Sequence, residues 1–141
     1  MTFMVHYRVQ GLPVGKGRPR FRRVGNFMRV HNEKKTEDYE NLVRFESMQA
    51  MGSTDPIEGS VGVYLYFRLP IPQSYSKKRV EACLSGSERP LKRPDLDNLA
   101  KSVLDGMNGI VFKDDCQIVS LHCAKVYGSE AGVDILVMEE K

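Results

Sequence analysis

The sequence predicts an α+β fold, a mixed β-sheet packed against two main helices. Three observations predict it. Val61 to Leu69 alternates strictly between apolar and other residues, as a half-buried strand does. Thr36 to Met51 and Asp97 to Met107 repeat apolar residues at helical spacing. Further strand-like runs lie on both sides of these helices, so neither type of element fills the chain. A length of 141 residues supplies one core, and 1–141 reads as a single domain.

The first strand, Phe3 to Val9, alternates and stops at Gly11-Leu12-Pro13. A Gly- and Arg-rich stretch, Gly15 to Arg23, leads to Phe27-Met28-Arg29-Val30. Gly25-Asn26 reads as a turn, which makes 18–30 an irregular hairpin. In the first helix Tyr39, Leu42, Val43 and Phe45 form the apolar side. Glu37, Asp38 and Glu40 stand near its start, where the helix dipole favours acids. Gly52 to Gly59 is a turn-rich break, and Pro70 with Pro72 ends the strand that follows it. Ser76 caps a short helix over 77–83, and Gly86 to Pro90 is a loop. In the second long helix Leu99, Ala100, Val103, Leu104 and Met107 make one stripe. Asp97, Asn98, Lys101, Ser102 and Asp105 face elsewhere, and Asn108-Gly109 stops the helix. Gln117 to Tyr127 and Val133 to Met138 read as a terminal antiparallel pair around Gly128-Ser129-Glu130.

Composition excludes several classes. No apolar run approaches the ~20 residues needed to cross a bilayer, and His6 and Arg8 inside the first apolar stretch argue against a signal peptide, so no membrane partner is expected. Cys83, Cys116 and Cys123 have no CxxC spacing and are expected as buried or half-buried free thiols in a reducing cytoplasm. The net charge of +3 conceals an asymmetry: residues 1–35 carry +8 and residues 36–141 carry −5. A basic front on an acidic remainder points to a polyanion partner.

The acids have a pattern of their own. Asp95 and Asp97 alternate, so an extended backbone would point both to one side. Asp97 and Lys101 lie four apart on one helix face, and Asp114-Asp115 follows after a short Ile110-Val111-Phe112 segment. Clustered carboxylates suit a hard divalent cation, above all Mg²⁺, and His6, His31 and His122 have no ligand spacing. Mg²⁺ held beside basic residues suits phosphodiester cleavage. A lysine there, Lys101, can stabilise the developing charge or protonate the leaving oxygen. The plainer alternative makes Asp97 an N-cap, Asp95 a turn residue and Asp114-Asp115 a solvated turn. Asn98 either orients an aspartate or is simply exposed, and Asp105 reads as a surface or salt-bridging residue.

Lys16, Arg18, Arg20, Arg22, Arg23 and Arg29 interleave with Phe21, Phe27 and Met28, a pattern suited to phosphate contact and base stacking. Lys77, Lys78, Arg79, Arg89, Lys92 and Arg93 form a second basic group before the acidic motif. A solvated arm with no fixed partner is the alternative for the first group.

Arg93-Pro-Asp-Leu-Asp-Asn-Leu-Ala-Lys101, continuing to Gly109, and then Lys113-Asp-Asp-Cys-Gln-Ile-Val119, resemble the RusA family of Holliday junction resolvases. Gly15-Lys-Gly-Arg-Pro-Arg20 and Lys34-Lys-Thr-x-x-Tyr39 are similar to the bacterial and phage form of the family. The resemblance implies a Mg²⁺-dependent, homodimeric endodeoxyribonuclease of recombination and repair, placing paired nicks in four-way junctions in the cytoplasm of a bacterial or phage-infected cell. It implies catalytic roles for Asp95, Asp97, Asp115 and Lys101. It makes Asp95, Asp97 and Asp115, with Asp114 less firmly, the metal ligands. DNA binding would fall to Lys16, Arg18, Arg20, Arg22, Arg23, Arg29, Lys92 and Arg93. Two other functions compete: a non-catalytic structure-selective DNA-binding protein, and a Mg²⁺-dependent phosphatase of small nucleotides.

Overall fold

The computed structural model describes residues 2–17, 20–25, 27–31 and 34–140, and only the backbone of 20–22, 24 and 27–31. Strand β1 (Met4–Gln10) is followed by the hairpin β2 (Arg20–Val24) and β3 (Phe27–His31), then helix α1 (Lys34–Met51) and strand β4 (Val61–Pro70). Helices α2 (Lys77–Ser85) and α3 (Leu96–Met107) come next, then a 3-10 turn at Asp115–Gln117 and strands β5 (Ile118–Gly128) and β6 (Gly132–Glu139). The class is α+β, as expected, with a mixed four-stranded sheet in the order β1-β6-β4-β5 and a separate two-stranded hairpin.

β4 is central because it has the most to bury. Val61, Val63, Leu65, Phe67 and Leu69 all face the helices and are buried, joined by Val133, Ile135 and Val137 of β6. β6 runs antiparallel to both β1 and β4, while β5 runs parallel to β4. A parallel neighbour needs a long crossover, and the segment carrying α2 and α3 supplies it.

The expected terminal hairpin is therefore corrected: β5 and β6 do not pair, because β4 lies between them. The 129–131 connection passes the end of β4 instead. There the Arg68 guanidinium donates to the Glu130 carbonyl at 3.2 Å and pairs with Asp134. Short spacing between two strands looks the same in sequence whether they are neighbours or straddle a third.

The α1 stripe also differs from expectation. Thr36, Tyr39, Val43, Ser47 and Met51 are buried, whereas Leu42 and Phe45 stay 39% and 56% exposed. Two polar residues enter the stripe because both find partners. Thr36 Oγ1 accepts from the Gly17 N–H at 3.2 Å, and Ser47 shares a hydrogen bond of 2.6 Å with Tyr7. Ser102, expected to face outward on α3, is fully buried and donates to the Val14 carbonyl at 2.6 Å. Ser76 caps α2 as its spacing predicts, accepting from the Arg79 N–H. Of the thiols, Cys83 is buried and Cys123 half-buried, but Cys116 is exposed, because it sits in the solvent-facing 3-10 turn.

α3 lies tight against α1 at Gly106. A Cβ there would stand 2.7 Å from Val43 Cβ and 2.9 Å from the Glu40 carbonyl oxygen. Overpacking of this kind costs about 1–3 kcal/mol. Gly106→Ala should lower the stability measured by urea unfolding by that amount; an unchanged midpoint would mean that the helices can separate freely.

Candidate functional site

Of the residues singled out in the sequence, Asp95, Asp97, Lys101 and Asp105 lie at the start of α3 or along it, and Asp115 faces it. Two backbone segments frame this region. The first, residues 12–17, runs over α3: the Lys16 N–H donates to the Asn98 carbonyl at 2.9 Å, and Ser102 holds the Val14 carbonyl. Gly15 makes the approach possible, since a Cβ would lie 3.1 Å from Pro94 Cβ and 3.3 Å from Asn98 Cβ. The second, residues 92–94, is held from the sheet. Lys125 of β5 faces the helices and its ammonium donates to the Lys92 carbonyl at 2.9 Å and to the Pro94 carbonyl at 3.2 Å. Lys125 had no sequence signal, because an inward lysine at the edge of a sheet is recognisable only once its partner loop is in place.

α3 begins at Leu96, one residue earlier than expected, so Asp95 rather than Asp97 is its N-cap. The Asp95 carboxylate makes no capping hydrogen bond and opens, exposed, on a polar recess lined by Gly15, Lys16, Arg93 and Asn98. Asp97 is already helical and lines a different hollow with Leu121 and Cys123. Alternation places two residues on one side only while the backbone stays extended, and here the helix starts between them. Asn98 is half-buried in the wall of the Asp95 recess.

Beyond α3, buried Val111 and Phe112 anchor the chain, and Gln117 donates to the Ile57 and Gly59 carbonyls at 2.7 and 2.8 Å. Asp114 and Gln117 form a capping box around the 3-10 turn. Hydrogen bonds from the Cys116 thiol and N–H hold the Asp114 carboxyl below its ordinary pKa. Asp114 thus caps the exposed turn before β5, where the plainer alternative expected a solvated turn. Asp115 is turned toward α3, with Oδ2 3.8 Å from Lys101 Nζ.

A line of alternating charges results. Glu40 Oε1 lies 2.6 Å from Lys16 Nζ, and Lys16 lies 3.1 Å from Asp105 Oδ2. Asp105 Oδ1 lies 3.1 Å from Lys101 Nζ, and Lys101 reaches on to Asp115. Asp105 is a salt-bridging residue, as read, and its i,i+4 spacing from Lys101 is visible in the sequence. The part of Glu40 is not. Lys16, expected to contact DNA, is here neutralised by two acids. Burial alone would lower its pKa, but the hydrogen bonds and charges of Glu40 and Asp105 outweigh that and raise it.

Among the described residues, no three His, Cys, Asp or Glu side chains are grouped closely enough to hold a metal ion. The expected convergence of Asp95, Asp97, Asp114 and Asp115 is thus not formed within the described chain. The reasons are local: two aspartates open on separate hollows, one is a cap, and one faces a lysine.

Of the basic residues, Lys92 and Arg93 are exposed beside the Asp95 recess, and Arg23 is exposed and donates to the Gly25 carbonyl at 3.3 Å. Arg22 pairs with Arg29 across the hairpin, and Arg20 with His31, in backbone register. Arg18 lies outside the described residues. In the second group Arg79 is tied to Glu88 at 3.0 Å and stands 3.6 Å over the Tyr75 ring. Among the described residues no helix is long and apolar enough to cross a membrane.

The family model described as Endodeoxyribonuclease RusA matches residues 10–138. The chain belongs to that family of endodeoxyribonucleases, and the match takes in both framing segments, α3 and the 3-10 turn. A relative from Bacillus subtilis (strain 168), the uncharacterized protein YqaN, is 32% identical over 138 residues, covering 96% of each chain.

Asp105→Asn should remove the acid shared by the two lysines and lower stability by about 1 kcal/mol at neutral pH. Because the Lys16 pKa is raised on folding, its contribution is complete below the ordinary lysine value of ~10.4 and fades as pH climbs through the raised one. Urea unfolding should show a gap between variant and wild type that is steady from about pH 7 to 9 and narrows above about 10.4. A gap that widens at alkaline pH would contradict the pairing.

Proposed function

We propose that residues 1–141 form one RusA-type domain that works as a homodimer, cutting four-way DNA junctions by paired, symmetric nicks in recombination and repair, with Mg²⁺ as cofactor. The observation that carries the catalytic part is the position of Lys101. One exposed cation stands between Asp105 and Asp115, one helical turn from Asp97 and on the same helix as the uncapped Asp95. Membership of the endodeoxyribonuclease family supports a DNA phosphodiester as the substrate.

The chain's own groups have distinct tasks in this reading. Arg93, exposed at the recess, and its exposed neighbour Lys92 bind phosphate oxygens and bring the strand to Asp95. Lys125 and Ser102 hold the two framing segments, so the recess exists before DNA arrives. Lys101, exposed and positioned by Asp105 and Asp115, stabilises negative charge developing on the attacked phosphate. For Mg²⁺ the support is the family and the all-oxygen donor set of Asp95, Asp97 and Asp115, which is the right chemistry for a hard ion. When bound it would supply Lewis-acid polarisation of the phosphate. The described chain does not bring those oxygens together beforehand.

A four-way junction has an approximate two-fold axis and needs two cuts, which a C2 dimer would supply. Leu42, Phe45 and Met48 leave an exposed apolar stripe on α1 that a second copy would cover. One observation favours the non-catalytic alternative: Asp95 and Asp97 line separate hollows.

Incubating the protein with labelled junction, fork and linear duplex, with Mg²⁺ or chelator, tests these readings. Paired nicks in the junction that require Mg²⁺ are expected; binding without nicking would favour the non-catalytic protein, and release of phosphate from nucleotides alone would favour the phosphatase. Asp95→Asn, Asp97→Asn or Asp115→Asn should abolish cutting while junction binding persists. Lys101→Ala should slow the cut by roughly 10²-fold with little change in binding. Binding should also weaken about a thousandfold or more between 50 and 200 mM salt, through counterion release.

A further inference from the structure

Two hollows open on either side of Gly15. One is the polar recess at Asp95. The other, of about 340 Å³, lies between residues 12–15, the end of β4 and residues 90–94. Gly15, Arg93 and Pro94 border both, so the larger hollow adjoins the place where the proposed strand lies. The proposed endonuclease function leaves this hollow unused.

Its chemistry is specific. Pro13, Pro72 and Pro94 present rigid apolar rings, and proline has no N–H to offer water or a polar ligand. Tyr127 adds its ring to the wall, and its hydroxyl lies 3.5 Å from that of Tyr75. Lys35, Lys92 and Arg93 are its charged lining residues, with no acid among the described residues that line it. The walls are tied in place by Ser102 on one side and Lys125 on the other. A pre-formed apolar slot with cations in its lining fits a flat ring carrying a phosphate at its edge. Its volume is near the lower limit for small-ligand pockets, ~300 Å³.

We propose that this hollow receives one unstacked nucleobase of the DNA strand that lies at Asp95, and thereby sets a nucleotide preference next to the cut. The proposal rests on the DNA-cleaving function proposed above and adds a base-binding subsite to it. Extracting a base from a stack costs a few kcal/mol, least where pairing is already disturbed, and a branch point offers such bases. The lining cations keep the flanking phosphates outside while the ring enters.

The test uses synthetic four-way junctions carrying 2-aminopurine at single positions around the branch point, mixed with the full-length wild-type chain. Fluorescence should rise sharply at one position of the strand, as the probe base leaves the stack. Leu12 lines the hollow and is 53% exposed, so Leu12→Trp can fill the slot without replacing a core residue. With this variant, cutting rates for the four nucleotides at that position should converge from roughly tenfold differences to within about twofold. No rise at any position on a bound junction overturns the proposal, and that measurement needs no variant to fold. An unchanged spread of rates in a folded Leu12→Trp protein also overturns it. A rise without strand cutting would sink the catalytic reading and leave the base site standing; cutting without a rise would do the reverse. A junction that is not bound at all takes both down.

Discussion

The close contact of α3 with α1 at Gly106 is the constraint on which the rest depends. With no Cβ in the way, Val43 and the Glu40 backbone lie against α3, and Leu99, Val103 and Met107 reach the buried face of the sheet. That approach also brings Glu40 on α1 and Asp105 on α3 to the two sides of one ammonium, Lys16. The 12–17 segment is then fastened to both helices, by Thr36 on α1 and by Ser102 and the Asn98 carbonyl on α3. Widening the helix pair would loosen the segment, the charge line and both hollows together.

The charge line explains how a basic front and an acidic remainder coexist. Lys16 is spent internally, holding the two helices and the framing segment, and Lys101 is shared between two acids. Arg93 stays exposed at the border of the recess, with exposed Lys92 next to it in the chain. Lys16 is thus largely enclosed by its acids, whereas Lys101 keeps an exposed ammonium beside Asp105 and Asp115. In a partly desolvated setting such pairs weigh more than on an open surface, because water screens them less.

Much of the fold was legible from the residues. The strict alternation of Val61 to Leu69 has a single solution, a strand with one face covered, and the structure buries that face completely. Of the α3 stripe, Leu99, Ala100, Val103 and Met107 are likewise buried and Leu104 is half-buried at its border. The α1 stripe was harder. Leu42 and Phe45 looked like core by hydrophobicity, but Thr36 and Ser47 took the buried positions because partners were waiting for their hydroxyls. The candidate site was readable only as a set of residues, and its expected geometry did not form among the described residues. Asp95 and Asp97 look like a pair only if the backbone stays extended, and it does not.

From the sequence alone came the class of fold, the family and the salt-bridging part of Asp105. These are local or near-local properties: periodicity, spacing and charge along a short run. The tertiary structure alone decided that β4 separates β5 from β6, that Lys125 secures the segment before Asp95, that Glu40 shares Lys16 with Asp105, and that Asp95 and Asp97 open on different hollows. Each of these joins or separates groups by where packing puts them, and distance in space is what a one-dimensional pattern does not encode.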